Sequence, residues 1–203
     1  MDNLPKIQLS PLEFELMNNS EWILTKNNIL KKTQRLLEQV RQNILDYTRL
    51  HPDLFPGQVI TVSPKISKGE NYRGLPWFML DYPRYFDKDN IFAIRAMFWW
   101  GNFFSTTLHL SGIYKEKYYR AIVDRYEDLC KNEFYCCINS NQWDHHFEKE
   151  NYLAVREFSA SEFTQLMQDR SFVKLSCKLS LSEWDRALNL LSEGFVRIAN
   201  YLS

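Results

Sequence analysis

The segment from Tyr72 to Gly112, YRGLPWFMLDYPRYFDKDNIFAIRAMFWWGNFFSTTLHLSG, constrains this chain more than any other. Two runs of β-branched and aromatic residues, Ile91–Trp100 and Phe103–Leu110, flank the dipeptide Gly101-Asn102. Runs of this kind favour strands, and glycine at the first turn position suits the type II′ loop that matches strand twist. The spacing therefore predicts a two-residue hairpin with Trp100 opposite Phe103, Phe98 opposite Ser105, Ala96 opposite Thr107 and Ile94 opposite His109. Period two then assigns the faces. One carries Phe92, Ile94, Ala96, Phe98 and Trp100 with Phe103, Ser105, Thr107 and His109; the other carries Ile91, Ala93, Arg95, Met97 and Trp99 with Phe104, Thr106, Leu108 and Leu110. Both faces are too apolar to meet water, so the hairpin is expected to be central and covered on both sides.

Two polar features stand out in that setting. Arg95 carries a charge it cannot shed, so it must pair with an internal acid such as Asp81, reach solvent at a sheet edge, or bind an anion. Ser105, Thr107 and His109 align along one strand; they either make local hydrogen bonds beneath a helix or line a ligand pocket walled by Ile94, Phe98 and Trp100. Arg95, Ser105, Thr107 and His109 are the candidate ligand-binding residues.

The remaining elements follow from periodicity and caps. Ser10-Pro11-Leu12-Glu13 is a capping box with proline at the first helical position, opening a short helix to about Met17. After Asn18, Asn19 and Ser20, a long helix reaches Leu50, with Ile29, Leu30, Leu36, Leu37, Val40, Ile44, Tyr47 and Leu50 on its inward stripe. Val59–Val62 and Ile66–Lys68 read as strand segments around Pro64, and Trp77–Tyr82 as a strand ended by Pro83. A helix is expected from Tyr114 to Lys131 and strands at Phe134–Ile138 and Tyr152–Val155. A second capping box, Ser159–Glu162, opens a helix to Gln168; a strand follows over Phe172–Leu179. The last helix shows Trp184, Leu188, Leu191, Phe195, Ile198 and Leu202 at alternating spacings of four and three. This order, with hairpin signals dominating the middle, gives an α+β fold: a mainly antiparallel sheet around the hairpin at 91–110, helices packed against it, and a helical N-terminal segment. One domain is expected over 1–203, with residues 1–55 helical and 56–203 forming the α+β core.

The chemistry is sparser. Asp144-His145-His146-Phe147-Glu148 is the most metal-like string, since Asp144, His146 and Glu148 share a face in a strand. It lacks an HExxH pattern and an identifiable distal ligand, so no metal is expected. Neither a phosphate-binding glycine loop nor a GxSxG elbow is present, and no cofactor is expected. Lys65, Lys68, Arg73 and Arg84 interleave with Tyr72, Tyr82 and Tyr85, but Glu70, Asp81 and Asp87 dilute the field. With 25 basic and 25 acidic residues the chain has no net charge to draw nucleic acid, and no nucleic-acid partner is expected. No apolar run approaches the ~18 residues needed to cross a bilayer, so no membrane partner is expected either. The four cysteines, Cys130, Cys136, Cys137 and Cys177, form no CxxC pair and read as reduced, buried thiols of a cytoplasmic protein.

The segments GLPWFMLDYPRYF and IFAIRAMFWWGNFFSTTLHL, with the downstream NYLAV and KLSLSEWD, resemble an uncharacterised family of bacterial proteins over about residues 65–188. That resemblance implies a family of unknown function, with no established catalytic motif to carry over. The sequence thus predicts a non-catalytic cytoplasmic protein that binds a protein partner or a small ligand. The alternative is a hydrolase-like enzyme acting through His109 or the Asp144–Glu148 string.

Overall fold

A computed structural model describes residues 7–203. Among them the fold is α+β: seven α-helices and one sheet of seven strands in the order β1-β2-β3-β4-β7-β5-β6, every neighbouring pair antiparallel. The strands are β1 (Lys65–Tyr72), β2 (Leu75–Phe86), β3 (Ile91–Trp99), β4 (Phe103–Ser111), β5 (Tyr135–Cys137), β6 (Tyr152–Ala154) and β7 (Phe172–Ser180). The helices are α1 (Pro11–Asn18), α2 (Ser20–Leu50), α3 (Gly57–Ile60), α4 (Ile113–Val123), α5 (Tyr126–Lys131), α6 (Ala160–Asp169) and α7 (Ala187–Asn200). None of the described helices is long and apolar enough to cross a membrane. The chain divides within α2 into two compact units, the first ending at Arg35 and the second running Leu36–Ser203.

Local sequence rules place most of these elements. In both capping boxes the serine oxygen accepts from the third backbone N–H, and the glutamate accepts from the serine N–H. For Ser10 and Glu13 the distances are 3.3 and 2.7 Å; for Ser159 and Glu162 they are 3.2 and 2.7 Å. In α2, Leu37, Val40 and Ile44 are buried, while Leu50, expected inward, is exposed. Leu191, Phe195 and Ile198 of α7 are buried. Asn43 and Tyr47 of α2 meet Ser192 and Asn200 of α7 through their side chains, which fixes one helix against the other.

Four expectations need correction. Val59–Val62 is not a strand: α3 ends the connection from α2, with Val59 buried. β2 does not stop at Pro83 but continues to Phe86. Its register shifts between Asp81 and Arg84, a bulge that lets a residue without an N–H sit in a strand. The expected helix 114–131 is two helices, α4 and α5, broken at Asp124-Arg125.

The fourth correction matters most. Trp99 pairs with Phe103 and Phe98 with Phe104, one residue out from the expected register. The Asn102 N–H donates to the Trp99 carbonyl, enclosing a turn whose third residue, Gly101, has φ +71°. Glycine therefore fills the left-handed position of a three-residue connection rather than the first position of a two-residue one. A one-residue slip exchanges faces. Arg95 now lies directly opposite Thr107, on the same face as Ser105 and His109, while Ile94 and Phe98 point to the other side.

That other side is the helical core. Thr106 meets Gly194 of α7. Phe98 and Phe104 contact Trp184, and Phe92 contacts Tyr114 and Tyr118 of α4. The four cysteines are free thiols, with Cys136 and Cys137 buried and Cys130 and Cys177 half-buried.

Two glycines separate backbone strain from crowding. At Gly101 (φ +71°) an added Cβ would meet open space, whereas at Gly112 (φ +56°) it would fall on the Asp89 carbonyl and the Asn90 side chain. Gly101→Ala is expected to cost on the order of 1 kcal/mol, the left-handed backbone penalty alone. Gly112→Ala should cost clearly more; equal shifts in chemical-denaturation midpoint for the two variants would contradict this.

Candidate functional site

The face of the sheet away from the helices is built from alternate residues of four strands. β2 supplies Trp77, Met79 and Asp81, β3 Arg95, Met97 and Trp99, β4 Phe103, Ser105, Thr107 and His109, and β7 Lys174, Ser176 and Lys178. The segment between β5 and β6, residues 138–151, lies over this face. Asn151, fully buried, ties that segment down: its amide donates to the His146 carbonyl at 2.6 Å and its own carbonyl accepts from the Ile138 N–H at 2.8 Å. The Tyr72 hydroxyl accepts the backbone N–H groups of His145 and His146 at 2.6 and 3.1 Å. Phe147 is boxed by Phe103, Tyr135 and Tyr152 at ring distances of 4.9, 5.1 and 4.7 Å.

Beneath this cover sits a buried polar cluster. Asp81 and Arg95 face each other across β2 and β3 and pair in a two-pronged arrangement, Nε to Oδ1 at 2.7 Å and Nη2 to Oδ2 at 3.3 Å. Both are nearly inaccessible. The third nitrogen, Nη1, is left over and lies 3.5 Å from His145 Nε2. Thr107 Oγ1 and Ser176 Oγ share a hydrogen bond at 2.7 Å. The expected row of Ser105, Thr107 and His109 thus shares its face with Arg95, under a loop rather than a helix, and Ile94, Phe98 and Trp100 are not its walls.

Lys174 is the residue that the sequence reading missed. It is 1% exposed, and its amine donates to the Gln142 carbonyl at 3.0 Å and to the Asp144 carbonyl. Its remaining neighbour is His145 Nδ1 at 3.3 Å. A guanidinium and an ammonium can only donate, so His145, with one ring proton, can accept from Arg95 through Nε2 or from a charged Lys174 through Nδ1, and not from both at once. Burial, reinforced by repulsion from Arg95, pushes Lys174 down to about 7. Burial and the same two cations also hold the His145 imidazole well below the ordinary histidine range.

His109 is fully buried. Its Nε2 lies 2.9 Å from Gln142 Oε1, which makes Nε2 the protonated nitrogen, and Nδ1 has no hydrogen-bond partner among the described residues. Burial, then the charges of Lys174 and Arg95, push it down to about 3. Such an imidazole stays neutral at every physiological pH.

The Asp144–Glu148 string comes apart. Asp144 Oδ2 accepts from Asn139 at 3.1 Å and Glu148 from Arg73 at 3.0 Å. His146, Glu148 and Glu150 instead bring ligand-type atoms within 4.8 Å of one another. With two backbone N–H groups already on its oxygen, the Tyr72 hydroxyl donates to His146 Nδ1 at 3.0 Å. The ring proton therefore sits on Nε2, facing Glu148 and Glu150 at 3.7 and 3.6 Å. A metal at Nε2 would have to displace it, and the tautomer that Tyr72 imposes works against that.

Beside the cluster opens a cleft of about 350 Å³, lined by Asn71, Tyr72, Trp77, Met79, Arg95, Met97, Trp143 and His145. Its walls are aromatic and thioether side chains; Arg95 and His145 supply the polar groups, with Asn71 at the rim.

No family model, curated protein or solved structure matches the chain.

Two outcomes follow. Removing one member of a buried ion pair strands the other, at a cost of about 3–5 kcal/mol. Arg95→Met keeps the stem but strands Asp81, so its melting temperature should fall by on the order of 10 °C; an unchanged or raised midpoint would remove Arg95 from the structural role. The second concerns pH. Unfolded, His109 binds a proton near 6.5; folded, only near 3. Between these values the unfolded chain holds the extra proton, so stability contributed by neutral His109 is lost as pH falls through the window. Denaturant midpoints measured from pH 6.5 to 3 should fall, and His109→Gln should fall less steeply; identical slopes would contradict the assignment.

Proposed function

We propose that the protein binds a small molecule carrying an anionic group on a flat apolar body, in the cleft beside Arg95. The observation that carries this reading is the charge balance under the loop. Two cations, Arg95 and Lys174, are nearly inaccessible, and Asp81 is the one carboxylate buried as deeply beside them; Asp144, half-buried, is the other acid near Lys174. Repulsion from the cations is among the causes that hold Lys174, His109 and His145 below their ordinary ranges. An anion placed against the left-over Nη1 of Arg95 would relieve that repulsion, and Asp81 would keep the guanidinium oriented toward it. Trp77, Trp143, Met79 and Met97 offer the apolar walls that small-molecule clefts need, and about 350 Å³ suits a body of one or two rings. Ser105, Thr107 and His109 form the polar floor beside Arg95, and His109 holds the covering loop through Gln142.

The hydrolase alternative draws less support. His109 lies behind Gln142 with its basicity suppressed, and among the described residues no serine or cysteine side chain is hydrogen-bonded to a histidine.

The test is a thermal-shift and tryptophan-fluorescence titration with aromatic carboxylates, each beside its neutral amide. The carboxylates should raise the melting temperature and quench fluorescence while the amides do neither. Trp143→Ala, on the half-exposed wall, should weaken the effect without unfolding the protein. Equal responses to carboxylate and amide, or none across a broad panel of aromatic and aliphatic anions, would overturn the reading.

A further inference from the structure

The N-terminal unit carries an unusual surface. Of the thirteen large apolar side chains exposed among the described residues, nine fall between Ile7 and Leu24. They include Leu12, Phe14 and Met17 of α1, at 61, 59 and 64%, and Trp22 and Leu24 at the start of α2, at 49 and 64%. Single exposed apolar residues need no explanation, but a concentration of this kind marks an interaction surface.

The charges around it identify the occupant. From residue 7 to residue 21 the chain has three acids, Glu13, Glu15 and Glu21, and no base; from 22 to 35 it has four bases, Lys26, Lys31, Lys32 and Arg35, and no acid. The apolar triplet Trp22-Ile23-Leu24 lies where the sign changes. Reversing a second copy about Ile23-Leu24 brings Glu21 opposite Lys26 within α2, and turns the acidic α1, with Glu15 and Glu13, toward the stretch of α2 that holds Lys32 and Arg35, and does so twice by symmetry. A surface of this kind is complementary to itself, as a two-fold contact requires. An anionic lipid surface fits less well, because the most apolar stretch is also the acidic one.

We infer that this unit is a homodimerisation surface, with two copies crossing antiparallel at Trp22–Leu24 and the acidic stretch of each lying along the basic stretch of the other. The apolar triplet provides the buried centre and the charge pairs set the direction, as rim charges do.

Sedimentation velocity on the full chain decides it. The wild type should run as a dimer of the 24.4 kDa chain. Trp22→Glu with Leu24→Glu should give a monomer with an unchanged circular dichroism spectrum, since both side chains are exposed. Lys26→Glu with Lys32→Glu should raise the dimer dissociation constant by about tenfold or more, and adding Glu15→Lys with Glu21→Lys should restore it. A wild type that stays monomeric at its highest soluble concentration overturns the inference. So does a dimer that survives Trp22→Glu with Leu24→Glu. Flotation of a monomeric wild type with phosphatidylglycerol vesicles would replace the second copy by a lipid surface.

Discussion

The Asp81–Arg95 pair is the interaction on which the loop-covered face of this protein depends. It sits where β2 meets β3, one step before the bulge at Tyr82-Pro83, and it satisfies a charge that is almost wholly withdrawn from water. Two of the three guanidinium nitrogens are used by Asp81, so the third is aimed rather than free to wander. That aim sets Nη1 against His145, whose other ring nitrogen lies 3.3 Å from the Lys174 amine. Three side chains from three different elements are thus linked through the geometry of one ion pair.

Lys174 reverses the usual relation between a charged residue and a loop. A lysine on a strand normally leaves its amine in water. Here the segment at 138–151 closes over it and presents the Gln142 and Asp144 carbonyls as acceptors. The backbone of an irregular segment needs such partners because it has no ladder of its own. Lys174, Tyr72 and Asn151 between them supply hydrogen bonds for that cover, which is why a stretch with little regular structure can lie over the sheet. The excess of buried positive charge is the consequence, and it is the basis for expecting an anion in the neighbouring cleft.

The two faces of the sheet illustrate opposite solutions to burial. The helical face is apolar apart from Thr106 and depends chiefly on shape: Phe92, Phe98, Phe104, Leu108 and Val173 pack beneath α4, α7 and the Trp184 turn. The loop-covered face mixes Met79, Met97, Trp99 and Phe103 with Arg95, Thr107, His109 and Lys174. The second arrangement needs a partner for each of its polar atoms, and the one orphan among the described residues, His109 Nδ1, falls there.

The sequence by itself determined the elements whose signals are local. Both capping boxes, the stripes of α2 and α7, the strand runs of the central hairpin and the α+β class all follow from contacts within a few residues, so they were legible. Arg95 and its acid partner Asp81 were legible too, because a permanent charge in an apolar strand leaves few choices. Register was not. Gly101 satisfies a left-handed position in either a two- or a three-residue turn, and the difference of one residue moves Arg95 to the side of Ser105, Thr107 and His109. Only pairing along the full length of β2, β3, β4 and β7 selects between them. Lys174 was invisible for a related reason: in Phe172–Ser180 it alternates with apolar residues and reads as a solvent-facing lysine. What buries it is a segment some thirty residues earlier, and the carbonyls that hold it carry no sequence signature, since every residue has one. Tertiary structure decided the rest of the candidate site because its remaining contacts depend on backbone groups and on faces, not on residue types alone.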